Sequence, residues 1–222
     1  MKTWACMLIS IFIMNSGFAI DMVVGEVHYR VPVSSVKALK SQAILIQQYD
    51  FSCGSAALAT LLTYHYDFPV TEQSIFEEMF AVGDQNKIKQ QGFSLLDMKQ
   101  YLGRHGYIAD GFNEPLSKLV EAKVPAIVLI TENGYNHFVV IKGLRGDRIL
   151  LGDPATGNKV MSLHRFTEIW KNKLLFVIHN KMEMVHFDAS KDWSSTPLAP
   201  LGRSDGRELQ LTTLQKMGPG DF

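Results

Sequence analysis

The chain has no excess of charge of either sign, with 22 Lys and Arg against 22 Asp and Glu. That excludes the basic stripe by which a nucleic-acid binder announces itself, and no polyanionic partner is suggested. Beyond the first twenty residues there is no apolar run long enough for a membrane helix, which needs about 20 residues. Internal repeats, clusters with metal-ligand spacing and phosphate-binding loops are also missing, so nothing implies a cofactor or a metal. Cysteine is scarce, limited to Cys6 and Cys53. What is present is ordinary globular material, 46% hydrophobic and 20% charged, enough for one sizeable core. A length of 222 residues fits a single domain, since domains commonly run to roughly 100–200 residues.

The first residues read as an address. Met1-Lys2 gives a positive start, Ala5 to Met14 is a compact apolar run, and Gly17-Phe18-Ala19 places small residues where a signal peptidase reads. This pattern predicts a signal peptide over 1–19, cleaved after Ala19. An uncleaved anchor or a buried strand is the competing reading, against which the shortness of the run counts. Cys6, preceded by Thr3-Trp4-Ala5, lies too early for a lipoprotein signal. The expectation is an exported protein with no stable membrane insertion after cleavage. A bacterial periplasm suits it best, with full secretion as the alternative. The sequence names no oligomeric state.

Removal of 1–19 leaves Cys53 as a lone thiol in an oxidising compartment, where cysteines are usually paired. Such a thiol is either reactive or partner-seeking, or else a buried small hydrophobe. Its neighbours favour reactivity. Ile44 to Ile46 reads as a strand or lead-in segment, Tyr49 to Ser52 as a turn, and from Cys53 onward Ala57, Leu58, Leu61 and Leu62 recur at helical spacing. Cys53 then falls in the first helical turn, where unpaired backbone N–H groups and the positive end of the dipole favour a thiolate. Gly54 and Ser55 keep that turn slim for a substrate backbone.

A nucleophilic thiol needs a base. Of the seven histidines, His28, His65, His105, His137, His164, His179 and His186, His137 has the best setting. It stands at the mouth of an apolar β-branched run, Phe138-Val139-Val140-Ile141. The alternative is a plain strand-end histidine. The turn-rich stretch Thr131 to Tyr135 precedes it as a candidate cleft wall. A second short strand, 148–152, is followed by Asp153-Pro154, and residues 143–147 join the two into a hairpin. Antiparallel pairing brings His137 and Asp153 to the same sheet end, so Asp153 can orient the imidazole. Asp-Pro is also a common turn opener. For the oxyanion, Gln47 or Gln48 offers a side-chain N–H2 beside the Cys53 backbone N–H, and spacing alone does not choose between them.

The motifs Gln47-x5-Cys53-Gly54-x-Ala56, His137-Phe138-Val139-Val140 and Asp153-Pro154 together resemble the peptidase C39 family, the bacteriocin-processing, papain-like cysteine peptidases often joined to peptide-exporting ABC transporters. The resemblance spans roughly residues 40–180. It implies an α+β papain-like fold, with an N-terminal helical half carrying the cysteine and a C-terminal antiparallel β-sheet half carrying His and Asp. It also implies a catalytic triad of Cys53, His137 and Asp153, with Gln47 rather than Gln48 at the oxyanion. The implied activity is endopeptidase cleavage of a peptide or protein substrate after a small-residue pair such as Gly-Gly. Ser52 stands where many members carry an acidic residue. About 40 residues remain after the catalytic region, so no transporter domain is expected to follow. With the predicted signal peptide, this points to a free-standing exported member acting on another exported protein. A non-catalytic peptide-binding module of the same fold, and amidase or transpeptidase chemistry on cell-wall peptides, are the alternatives.

The remaining stretches read as support. A helix opens near Thr71 to Ser74, and another follows Ser94, with Asp97 three residues on as in a capping box. Residues 82–91 read as a polar loop at the cleft border, 124–130 and 174–178 as strands, and 165–170 as a short helix. The domain is expected over 20–188, with 189–222 as a flexible C-terminal tail.

Overall fold

The computed structural model describes residues 19–24, 27–32 and 36–196. The expected signal peptide lies outside these residues except for Ala19, and 197–222 lies outside them too. Strand β1 (Ala19–Val24) pairs antiparallel with β2 (Val27–Pro32), and the short helix α1 (Val36–Lys40) follows. Residues 44–46 form no strand. They are a lead-in held by outside partners: Leu45 N–H donates to Thr60 Oγ1 at 2.9 Å and Gln47 N–H to Pro154 O at 3.0 Å.

Helix α2 (Cys53–His65) is buried on nearly every side, not along one stripe. A helix apolar all round belongs inside a core, and this one packs against α3 on one flank and the sheet on the other. Helix α3 (Glu72–Val82) starts where Thr71 Oγ1 accepts the Ser74 N–H at 3.1 Å. The expected loop after it is largely a helix, α4 (Gln85–Gln91), because Asp84 caps the N–H groups of Asn86 and Lys87. Gln and Lys are good helix formers even without an apolar face. Helix α5 (Leu95–Arg104) opens with the Ser94–Asp97 capping box in place.

The second half is a six-stranded sheet. Its strands are β3 (Ala109–Phe112), β4 (Ala126–Glu132), β5 (Tyr135–Arg145), β6 (Arg148–Asp153), β7 (Gly157–Ser162) and β8 (Leu175–Ile178). They lie in the order β3-β8-β4-β5-β6-β7, and every pairing is antiparallel. Helices α6 (Ser117–Ala122) and α7 (Leu163–Ile169) come from the connections. The architecture is α+β. Side chains alternate across a strand, so Phe138 and Val140 join the core with α2, α3 and α5, while Val139 and Ile141 join a second core with α6 and α7. Burial on both faces makes β5 a continuous apolar run. Each fully buried Leu, Ile or Phe there is worth roughly 1.5–3 kcal/mol.

Strand β5 carries a bulge between Ile141 and Gly143, at Lys142. A bulge re-aims one side chain, and this one sends Lys142 fully inside. Its ammonium reaches Ala43 O (2.9 Å), Asn158 Oδ1 (3.2 Å) and Asp192 Oδ2 (3.0 Å). Asp192 belongs to α8 (Ser190–Ser195), which lies inside the expected flexible tail. The first part of that segment is therefore ordered and packed, with Ser195 and Thr196 buried. Long-range polar contacts hold it: Lys142 to Asp192, Arg145 to Asp188 at 3.0 Å, and the Arg145 guanidinium over the Trp193 ring at 5.0 Å. Local composition carries no trace of these.

Candidate active site

Cys53 is the first residue of α2, as the spacing predicts, and is a free, buried thiol, 7% exposed. Burial pushes its pKa up, and the Asp153 charge adds to this, while backbone N–H groups of Phe138 and Gly54 beside the sulfur pull it back. Gly54 is closely packed. A Cβ there would stand 3.0 Å from Phe93 Cβ and 3.1 Å from Met98 Cε. Close packing of α2 against Phe93 and α5 favours the glycine. Ser55 is likewise buried, within hydrogen-bond distance of Ser52 O (2.9 Å) and Glu72 Oε1 (3.0 Å).

His137 and Asp153 meet. His137 Nε2 lies 3.1 Å from Asp153 Oδ2, and both side chains are buried. The register that joins them pairs Val140 with Gly152. The two Asp153 oxygens have different partners. Oδ1 opens the turn by accepting the Ala155 and Thr156 N–H groups at 2.9 and 3.3 Å, while Oδ2 faces the imidazole. The other imidazole nitrogen, Nδ1, is buried with no hydrogen-bond partner among the described residues. The Cys53 sulfur sits beside the backbone N–H of Phe138, the next residue along β5.

Two further charged groups stand at Asp153 that the sequence did not single out. Lys159 Nζ is 2.9 Å from Asp153 Oδ2 and 2.8 Å from Glu132 Oε2. Glu132, His137 and Asp153 thus offer ligand atoms within 4.8 Å of one another, a cluster that their separation in sequence hides. The cation among them is the ammonium of Lys159. Burial works to raise the Asp153 pKa, but the His137 hydrogen bond and the Lys159 charge outweigh it and hold the carboxyl well below its usual range. Lys159 mirrors this: burial lowers it, yet Asp153 and Glu132 keep it above the ordinary lysine value.

Gln47 is half-buried, whereas Gln48 is exposed. The Gln47 carboxamide donates to Tyr49 O at 3.0 Å and, weakly, to Asp50 O at 3.5 Å. Tyr135, also missed, reaches the same loop. Its hydroxyl donates to Asp50 O at 2.7 Å, and its ring lies over His137 with centroids 6.0 Å apart. The stretch expected as a cleft wall forms the β4–β5 hairpin, turned at Asn133-Gly134 with φ of 53° and 79°. Positive φ at both central residues is the type I′ geometry that Asn-Gly favours, a signal open to the sequence.

The family model described as the Peptidase C39 family matches residues 41–182. The chain belongs to the peptidase C39 family. The C39 match runs from the lead-in to α2 through the whole six-stranded sheet, and so takes in Gln47, Cys53, His137 and Asp153. Two curated relatives carry the name "Probable functional amyloid protease FapD". The one from Pseudomonas aeruginosa (strain PAO1) is 40% identical over 146 residues, and that from Pseudomonas fluorescens is 38% identical over 146 residues. Each alignment covers 66% of this chain, and the chain spans 64% of each relative's length. Among solved structures, the peptidase domain of Streptococcus ComA, a bi-functional ABC transporter involved in a quorum-sensing pathway, superposes with a TM-score of 0.51. It is 19% identical and covers 61% of this chain and 96% of its own. That likeness is one of fold, and the fold is that of a C39 peptidase domain. Among the described residues no helix is long and apolar enough to cross a membrane.

Proposed function

We propose that the chain is a cysteine endopeptidase that cleaves an exported peptide or protein through Cys53, His137 and Asp153. The observation that carries this is the buried His137–Asp153 pair at 3.1 Å, next to a thiol in the first turn of α2. In the cycle, His137 takes the Cys53 proton and the thiolate attacks the scissile carbonyl carbon. The tetrahedral oxyanion is held by the Cys53 backbone N–H and by Gln47, whose weak 3.5 Å bond to Asp50 O is the one it gives up. Tyr135 keeps that carbonyl satisfied at 2.7 Å. The imidazolium then protonates the leaving amine, which departs as the C–N bond breaks. Water, deprotonated by His137, hydrolyses the thioester and frees Cys53. A buried thiol raised by its surroundings forms a thiolate only as an ion pair with imidazolium, so the three groups act as a unit.

For the substrate, the FapD relatives favour a component of a functional-amyloid system, cut after a small-residue pair such as Gly-Gly. Such a substrate agrees with an exported, periplasmic enzyme whose signal peptide ends at Ala19. The test is alkylation of Cys53 by iodoacetamide across pH, with Cys53→Ala and His137→Ala as controls. The expected result is reactivity well below the ordinary thiol range that disappears with His137→Ala. A single titration near pH 8.5, indifferent to His137, would sink the assignment. Comparing exported proteins from cells carrying wild-type or Cys53→Ala enzyme then identifies the substrate by its uncut form.

A further inference from the structure

Peptide cleavage by cysteine, histidine and aspartate does not call for a second ion pair at the aspartate, yet one is built there. Asp153 Oδ2 receives both His137 Nε2 at 3.1 Å and Lys159 Nζ at 2.9 Å. The lysine is held from behind by Glu132 Oε2 at 2.8 Å. Four adjacent strands converge on this arrangement: β4 gives Glu132, β5 His137, β6 Asp153 and β7 Lys159. The Asp153 side chain is 1% exposed and that of Lys159 only 20%, so solvent does little to weaken the interaction.

The charge count explains what the lysine does. Cys53 must become an anion near Asp153, whose charge opposes that step. Glu132 and Asp153 alone would place two negative charges beside His137. That would over-stabilise the imidazolium, leaving it a poor acid for the leaving amine, and would hold the thiol protonated. With Lys159 between them the cluster carries a net single negative charge. Among the described residues, the titratable and charged groups facing the imidazole–carboxylate pair are Cys53 from α2, Glu132 from β4, Tyr135 from β5 and Lys159 from β7.

We propose that Lys159 and Glu132 are positioning residues of this site: the ammonium, anchored by Glu132, fixes the Asp153 carboxylate and sets how much negative charge His137 and Cys53 experience. The inference rests on the peptidase reading. Its test is the pH profile of Cys53 alkylation by iodoacetamide in the full chain, for wild type, Lys159→Met, Lys159→Arg and Glu132→Gln, each first shown folded by circular dichroism. Two inflections are read: ionisation of Cys53 against the imidazolium, and loss of the imidazolium proton.

Lys159→Met moves both inflections to higher pH, the first by about one pH unit. Glu132→Gln removes an anion and moves them down. Lys159→Arg stays near wild type. Lost packing would not give shifts of opposite sign. Unmoved inflections in Lys159→Met and Glu132→Gln, or shifts of the same sign in both, overturn the proposal. If Lys159→Met does not fold, Glu132→Gln decides by its downward shift or lack of one. A wild-type profile that is a single ordinary thiol titration sinks the peptidase reading itself. His137-dependent reactivity with unmoved inflections sinks only the role of Lys159 and Glu132.

Discussion

Asp153 gives one oxygen to a turn and the other to His137, and the proposed division between architecture and chemistry is testable. Asn in its place keeps an acceptor for the Ala155 and Thr156 N–H groups but loses the charge that holds His137 and Lys159. Asp153→Asn should keep the turn and the fold while lowering kcat by about 10²- to 10⁴-fold, measured on the cleaved substrate beside a thermal melt. An unchanged kcat would remove Asp153 from the mechanism. At this scale the sequence was readable wherever one residue carried a local signature: a cysteine at a helix start, a histidine at a strand mouth, an aspartate before proline. Lys159, Glu132 and Tyr135 were not readable, because nothing local marks them. Lys159 sits in a mixed-polarity edge strand that the sequence did not reveal as a strand, and its meaning comes from the register of its neighbours.

Helix α2 shows how an element can be legible in existence but not in depth. Its spacing gave a helix with one apolar face, whereas tertiary packing covers it almost entirely. Its last residue, His65, is trapped by that burial. Nδ1 lies 2.5 Å from His186 O, and Nε2 has no partner among the described residues. Burial lowers the pKa from 6.5 to about 4. Between those values the unfolded chain binds a proton that the folded chain does not, so the contribution of His65 is complete above the upper value and declines as pH falls toward the lower. The loss amounts to roughly 3 kcal/mol at most. Urea unfolding from pH 4 to 7 should show stability rising with pH, and His65→Asn should flatten the rise. An equal slope in the variant would assign the effect to other groups. Asp153, with its depressed pKa, instead contributes stability that is present above the ordinary carboxylate range and lost only in stronger acid.

Across the whole molecule, the β5–β6 hairpin follows from patterning that the chain displays openly, while the α+β class and the helix-then-sheet order follow from the resemblance carried by its motifs. The ordered start of the expected tail does not, since α8 is held by partners some fifty residues away. Its anchor, Lys142, is buried, and burial lowers its pKa while Asp192 works to restore it. A chain ending at residue 188 removes Asp192 and leaves a buried ammonium without its counter-ion. It should lose about 3–5 kcal/mol in urea unfolding, and Lys142→Met in that shortened chain should recover part of the loss. No loss on shortening would make α8 an ornament. Lys142 also ties Ala43, ahead of the cysteine helix, to Asp192, near the end of the described chain. A polypeptide is made from its N-terminus, so the sheet is complete in sequence before its buried amine has a carboxylate to meet. The described fold is sealed by a residue made after its sheet, and until Asp192 arrives the nascent chain is held short of its final stability.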